Sequence, residues 1–261
     1  MSIVHFVGAG PGDPELITVK GLKALREADV VVYAGSLVNP ALLSELKTGA
    51  VAYDSAPLTL EEVLAIMGEA VAAGKRVVRL HTGDPSVYGA IQEQMEALDA
   101  LGISYAVIPG VTAAFAAAAG LKQELTLPEV SQTVILTRVE GRTPVPEKEQ
   151  LRRIAALGAT VCLYLSVSMM EKVVAELLAG GAYTPRTPIA VVSRASWEDE
   201  RILEGTLADI AEKVTAAGIS RQALIIVGDV LKARSEGVVE KSKLYDKDFE
   251  HGFRRGLINE P

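Results

Sequence analysis

Short apolar runs alternate with longer stretches whose apolar residues recur every three or four positions through the first half of the chain. Ile3–Val7 is an apolar run closed by glycine, the pattern of a strand covered on both faces. The glycine- and proline-rich segment Gly8-Ala9-Gly10-Pro11-Gly12-Asp13-Pro14 follows and reads as a loop. Leu16 to Ala28 has helical periodicity, with Thr18 as a candidate N-cap. Val30–Tyr33 predicts a second buried strand, and Asn39-Pro40 a helix start, Asn capping and Pro at the first helical position. Thr59-Leu60-Glu61-Glu62 is a capping-box pattern for a helix running to about Ala73, before Gly74. Arg76–Leu80 predicts a strand, Ser86–Leu101 a helix and Ser104–Ile108 a further strand. Pro109-Gly110-Val111-Thr112 then leads into an alanine-rich helix. Its small residues suit either tight helix–sheet packing or close approach to a ligand.

A second set of elements begins near Lys122. Gln132–Thr137, Thr160–Leu165, Ile189–Ser193, Arg201–Gly205 and Ala223–Gly228 predict strands. Lys148–Leu157 and Met169–Leu178 predict helices, and Thr206 with Asp209 suggests a capped helix reaching Ala216. Arg201 follows Ser193 too closely for a crossover helix, so that strand pair is expected to be antiparallel and the second sheet mixed. The reading is two α/β domains, 1–118 with a parallel sheet and 119–231 with a mixed one, followed by a charged tail, 232–261. Leu244, Tyr245, Phe249 and Phe253 suggest that this tail docks.

Composition narrows the function. The 26 Lys and Arg against 33 Asp and Glu leave a net charge of −7. An acidic chain is a poor general nucleic-acid binder, because phosphate neutralisation needs a broad basic face. A single cysteine, Cys162, excludes a disulfide framework, and three scattered histidines make a structural metal site improbable. No apolar run reaches the ~18 residues of a membrane span, and no signal peptide is visible. The expectation is a cytoplasmic protein that meets neither membrane nor nucleic acid.

Two loops carry the candidate chemistry. Gly8–Pro14 resembles a dinucleotide fingerprint only superficially: the third glycine comes one position early, and Asp13-Pro14 follows it. Proline removes an N–H that a pyrophosphate site would use. The second strand ends in Tyr33, not in a ribose-binding acid, and no lysine completes a phosphate loop. A ligand without phosphates fits better. His81-Thr82-Gly83-Asp84-Pro85-Ser86-Val87-Tyr88-Gly89 lies at the carboxyl end of a buried strand, where open α/β sheets bind ligands. Asp84 there either accepts from a ligand ammonium or hydroxyl or caps a helix starting at Pro85. His81 is either a general base or an exposed loop residue.

Gly8–Pro14 with Leu16-Ile17-Thr18-Val19-Lys20-Gly21, the Gly83-Asp84-Pro85 loop and Pro109-Gly110-Val111-Thr112 resemble, in order and spacing, the class III S-adenosylmethionine-dependent tetrapyrrole methyltransferases. Within that family, Tyr33-Ala34-Gly35-Ser36-Leu37-Val38, His81–Pro85, Ile135–Pro144 and Arg194-Ala195-Ser196-Trp197 are similar to the branch that methylates carbon 11 of precorrin-4 or its cobalt form in cobalamin biosynthesis. The likeness covers about 1–231. It implies a homodimer, with S-adenosyl-L-methionine bound in a cleft between two α/β domains and S-adenosyl-L-homocysteine as product. It also implies cofactor contacts at Pro11, Thr82, Gly83, Asp84, Val87, Thr112 and Ala113. Weaker transfers, expected to be largely main-chain, are Leu165, Ala195, Ala223 and Leu224. Tyr33 and Ser36 carry the branch signature and are placed near substrate. No catalytic acid or base and no metal is implied.

A polycarboxylate substrate on an acidic protein calls for a local cationic cluster. Arg138 and Arg142, flanking a glycine-containing turn after a strand, are the candidates, with Arg79 and Arg194 near strand ends. Each either binds substrate carboxylates or is an ordinary surface or salt-bridge arginine. The competing readings are another class III methyltransferase acting on a different precorrin or on a protein or RNA target, a nucleotide-dependent oxidoreductase, and a tetrapyrrole carrier without activity.

Overall fold

A computed structural model describes residues 3–35, 37–233, 237, 242–243 and 246–255. The chain divides into two compact units. The first runs to Ala117 and includes Arg194–Arg201; the second comprises Ala118–Ser193 and the chain from Ile202 onward. Arg194–Arg201, placed by the sequence reading in the second domain, thus packs with the first.

The first unit is a five-stranded sheet of β1 (Val4–Gly8), β2 (Val30–Tyr33), β3 (Val51–Asp54), β4 (Val77–His81) and β5 (Tyr105–Ile108), in the order β3-β2-β4-β1-β5. The pairs β1–β4, β1–β5, β2–β3 and β2–β4 are all parallel. Alternate side chains enter two cores. Val7, Val31, Val78, Leu80 and Ile108 pack with Ile17 and with Leu25 of α1 (Val19–Glu27). Val4, Phe6, Val30, Val32 and Val77 pack with Val63 and Met67 of α2 (Leu60–Ala72) and Leu98 of α3 (Ile91–Ala100). Each such side chain contributes about 1.5–3 kcal/mol by leaving water, which is why the strands read as continuous apolar runs. Thr59 and Glu62 close the expected capping box, Glu62 N donating to Thr59 Oγ1 at 3.3 Å and Thr59 N to the Glu62 carboxylate at 2.7 Å. α4 (Ala113–Leu121) runs across the boundary between the units.

The second unit is built on a mixed sheet of β6 (Val134–Thr137), β7 (Thr160–Leu163), β8 (Pro188–Ser193), β9 (Arg201–Thr206) and β10 (Ala223–Val227), in the order β6-β7-β10-β8-β9. β6 and β7 are parallel, and β10 is antiparallel to both β7 and β8. One face, with Val161, Leu163, Ile189, Val191, Ile225 and Val227, is covered by α5 (Leu151–Ala155), α6 (Met170–Ala179) and α7 (Ile210–Ala216).

Several elements differ from expectation. The helix expected from Leu16 starts at Val19, because Ile17 and Thr18 are extended and Pro14–Leu16 forms its own 3-10 turn. The helix expected from Ser86 starts at Ile91, because Tyr88 (φ 56°) and Ala90 (φ 49°) are left-handed. Pro85 therefore does not open it. α7 starts three residues later than expected: the Asp209 carboxylate accepts from Thr206 N at 2.7 Å, as a box partner does, but Asp209 N donates to Thr206 O at 3.1 Å and not to the Thr206 hydroxyl. β3 was not anticipated, since all four of its residues are exposed and show no alternation. In the tail, Phe253 is fully exposed, whereas Phe249 is 40% exposed with its ring 6.2 Å from that of His251. Leu244 and Tyr245 lie outside the described residues.

Candidate functional site

In the first unit, the loops after β1, β4 and β5 leave the same edge of the parallel sheet from three adjacent strands. Backbone hydrogen bonds tie the first two together. Gly83 N donates to Gly10 O at 2.8 Å, Gly10 N to Gly83 O at 3.3 Å, and Ala9 N to His81 O at 2.7 Å. Gly8, Gly83 and Gly110 approach so closely that a Cβ on Gly8 or Gly110 would fall inside 3 Å of the other two backbones. Gly10 and Gly83 also take positive φ, 81° and 62°, which glycine adopts at little cost.

Asp84 bridges two of these loops. Its Oδ1 accepts from Ser86 N at 2.8 Å and its Oδ2 from Gly110 N at 2.8 Å. It does not cap a helix at Pro85. Beyond it, left-handed Ala90 is held by Gln94, whose Nε2 donates to Ala90 O at 2.9 Å. Gln94 Oε1 in turn accepts from buried Arg79, which also donates to Val32 O, both at 3.2 Å. Burial draws the Arg79 guanidinium down to about 10. Arg79 is thus an internal brace, not a cation facing solvent. His81 is 5% exposed at the end of β4, so it is not an exposed loop residue. Burial first, and then the Arg79 charge, pull it down to about 3. A base that weak at neutral pH is a poor proton acceptor.

Pro11, Gly83, Thr112 and Ala195 are buried, and Thr82, Asp84, Val87 and Ala113 are half-buried around these loops. Ala195 lies in the segment Arg194–Arg201, between left-handed Arg194 (φ 53°) and Ser196 (φ 66°). Arg194 pairs with Asp199 at 2.6 Å and lies 4.0 Å over the Trp197 ring, so its guanidinium is engaged within the unit. The loops 8–14, 82–89 and 109–113 contain no Lys or Arg. Close backbone, small side chains and two carboxylates, Asp13 and Asp84, suit a cationic sulfonium better than a polyphosphate.

Tyr33 ends β2 half-buried, and its carbonyl accepts from Ser55 N at 2.8 Å and Ser55 Oγ at 3.0 Å. Ser36 lies outside the described residues. The turn between them is pinned by Asp54, whose Oδ1 accepts from Gly35 N at 3.0 Å and Ala56 N at 2.8 Å. Sequence reasoning missed Asp54 because it missed β3.

In the second unit, Leu165 follows β7 by two residues, left-handed (φ 53°) and 68% exposed. β10 opens at Ala223, opposite Ser193, and runs antiparallel to β7, so Leu165, Ala223 and Leu224 share one sheet edge. Gln222, just before Ala223, is left-handed as well (φ 50°). Non-glycine residues in this region cost about 1–3 kcal/mol each and gather at functional sites. The second-unit cations differ from each other. Arg138 donates to Thr143 O at 3.1 Å and Pro144 O at 2.7 Å, closing its own turn. Arg142 is exposed on that turn and makes no hydrogen bond or ion pair among the described residues. An open groove of about 540 Å³ lined by Met169, Lys172, Val214 and Ile219, among others, contains none of the candidate residues.

The sequence model of the tetrapyrrole (corrin/porphyrin) methylases matches residues 3–211. The chain belongs to this family. It is 60% identical over 252 residues to the cobalt-precorrin-4 C(11)-methyltransferase of Methanocaldococcus jannaschii, spanning 97% of this chain and 96% of that one. It is 49% identical over 253 residues to the precorrin-4 C(11)-methyltransferase of Pseudomonas aeruginosa, covering 97% and 99%. Among solved structures it resembles a cobalt precorrin-4 methyltransferase, with a TM-score of 0.85, 48% identity and coverage of 87% and 95%. It also resembles the uroporphyrin-III C-methyltransferase of Thermus thermophilus solved with S-adenyl homocysteine, with a TM-score of 0.75, 32% identity and coverage of 89% and 100%.

Proposed function

We propose that this chain methylates ring carbon 11 of precorrin-4, or of its cobalt form, using S-adenosyl-L-methionine in corrin-ring biosynthesis. The observation that carries this reading is 60% identity to a cobalt-precorrin-4 C(11)-methyltransferase across nearly the whole of both chains. The composition of the three first-unit loops supports it, since they offer no cation for a phosphate. Pro11, Thr82, Gly83, Asp84, Val87, Thr112 and Ala113 hold the cofactor. Leu165, Ala195, Ala223 and Leu224 add main-chain contacts, and Tyr33, Ser36, Arg138 and Arg142 position the tetrapyrrole. The active form is a cytoplasmic homodimer, testable by light scattering at working concentration.

When bound, the sulfonium supplies a methyl group already activated for attack by an electron-rich carbon. The chain's task is then to hold the reactants in line, which is worth up to about 7–11 kcal/mol of a barrier. Loops tied by backbone bonds and glycine contacts suit that task, because little order remains to be imposed on binding. Alkylation that leaves a quaternary carbon removes no proton there, so no side chain is asked to act as base.

The deciding experiment supplies freshly made precorrin-4 and its cobalt form separately, each with methyl-labelled S-adenosylmethionine. The expected outcome is one added methyl, located at carbon 11 by carbon NMR, with the faster substrate naming the pathway branch. Label elsewhere on the ring keeps the family and overturns the assigned carbon. No transfer to either form overturns the proposed substrate.

A further inference from the structure

We propose that Trp197 is a positioning residue that sets the cofactor loop Pro11-Gly12-Asp13 by pressing its ring on Gly12 and donating its indole N–H to Pro11. The proposal rests on the reading that this loop contacts S-adenosylmethionine.

Three consecutive residues of the loop are tied from outside. Pro11 O accepts from Trp197 Nε1 at 3.0 Å, Gly12 O from Asn39 Nδ2 at 2.9 Å, and Asp13 N donates to Ser196 Oγ at 3.0 Å. Two of these ties come from Arg194–Arg201, more than 180 residues away in sequence. The same ring makes the glycine necessary: a Cβ on Gly12 would overlap the indole, well inside 3 Å. Gly12 has no positive φ that would otherwise call for glycine. Close approach to Trp197 is therefore the reason for its missing side chain.

The segment is itself braced to present the ring. Trp197 N donates to Arg194 O at 3.0 Å and Ser196 N to the Glu200 carboxylate at 2.7 Å. The Arg194 guanidinium, fixed by Asp199, covers the ring 4.0 Å from its centre. Ala195, a proposed cofactor contact, lies between two left-handed residues of this brace. One indole thus joins two stretches assigned to the cofactor, Pro11 and Ala195. Such a residue acts through its neighbours and not on the reacting atoms.

The test measures S-adenosylhomocysteine binding by calorimetry on the full chain and compares Trp197→Phe, Trp197→Leu, Gly12→Ala and the double variant Gly12→Ala/Trp197→Leu. Trp197→Phe keeps a ring and loses the N–H, so binding should weaken about fivefold, the worth of one hydrogen bond. It should raise KM for the cofactor while leaving KM for the tetrapyrrole within about twofold, a split that general destabilisation does not produce. Gly12→Ala should weaken binding at least about tenfold, the cost of a forced overlap. Leucine makes room for the new methyl, so the double variant should bind more tightly than Gly12→Ala alone. Trp197 is the chain's one tryptophan, and saturating ligand should change its emission. Additive losses in the double variant, wild-type affinity in Trp197→Phe or unchanged emission would each overturn the proposal. Wild-type protein that binds no S-adenosylhomocysteine would overturn the cofactor reading itself, and this proposal with it.

Discussion

The first-unit loops and the second-unit turn Arg138–Val145 are both assigned to ligands, yet they are built in opposite ways. The loops after β1, β4 and β5 are mostly buried or half-buried and meet through glycine backbones; main-chain hydrogen bonds join the first two, and the Asp84 carboxylate joins the third to them. The turn is exposed over residues 141–144, and Arg138 closes it by its own side chain. A rigid, preorganised frame suits a cofactor whose reactive methyl must be aimed. An exposed turn with one uncommitted cation suits the periphery of a large charged substrate, where charge matters more than register.

The largest expected effect tests the rigid side. Gly110→Ala places a methyl against Gly83 O and Gly8, which are backbone and cannot swing aside. It should destabilise the chain by about 3 kcal/mol and abolish S-adenosylhomocysteine binding, read by denaturant titration and calorimetry. A stable variant with wild-type affinity would show that the loops yield, and the contrast with the turn would dissolve. Asp84→Asn is gentler, because asparagine keeps one of the two acceptors that hold Ser86 N and Gly110 N. Cofactor affinity should fall about tenfold with at most about 1–2 kcal/mol of stability lost. Unchanged affinity would confine Asp84 to loop structure.

These loops also show what could be seen in the sequence. The Thr59–Glu62 box and the Thr18 cap were legible because each is complete within four residues. Gly8–Pro14 was legible as a loop, but the meeting of Gly8, Gly83 and Gly110 was not, since those contacts join positions 27 or more residues apart. The late start of α3 was hidden because Tyr88 and Ala90, neither of them glycine or asparagine, take left-handed backbone. β3, and Asp54 with it, was invisible because an edge strand with four exposed residues carries no alternation. Arg79 and Arg194 can each be read from the sequence as a substrate cation or as an ordinary surface or salt-bridge arginine. Their engagement by Gln94 and Asp199 appears only in three dimensions.

His81 sharpens the comparison through pH. Folded, it binds a proton only near pH 3, whereas an unfolded histidine does so near 6.5. Between those values the unfolded chain holds the extra proton, so folding stability falls as pH is lowered through the window, by up to about 1.4 kcal/mol per unit from this group. His81→Leu should flatten that decline when urea unfolding is followed from pH 7 to pH 4. An equally steep decline would assign acid sensitivity to other groups. The exposed turn holds no buried titrating group, so Arg142→Ala should leave the profile unchanged.

The smallest effect is the most informative about the turn. Arg142 is exposed and makes no ion pair among the described residues, so replacing it by alanine should change stability by no more than about 0.5 kcal/mol. An exposed charge pair with a substrate carboxylate is worth about 0.2–1 kcal/mol, which is up to about fivefold in KM for the tetrapyrrole. That increment should shrink as salt rises, because screening acts on exposed pairs, and cofactor affinity should not move. Arg138→Ala differs in kind. It removes the two bonds that close the turn, so its penalty should include a salt-independent part that Arg138→Lys does not restore, since an ammonium lacks the planar fork reaching both carbonyls. If Arg142→Ala leaves tetrapyrrole kinetics unchanged at low salt while Arg138→Ala impairs them, the turn acts through its shape and its charge is incidental. If both variants show the same salt-dependent loss, both arginines face substrate, and the turn is a cationic site that rearranges when substrate arrives.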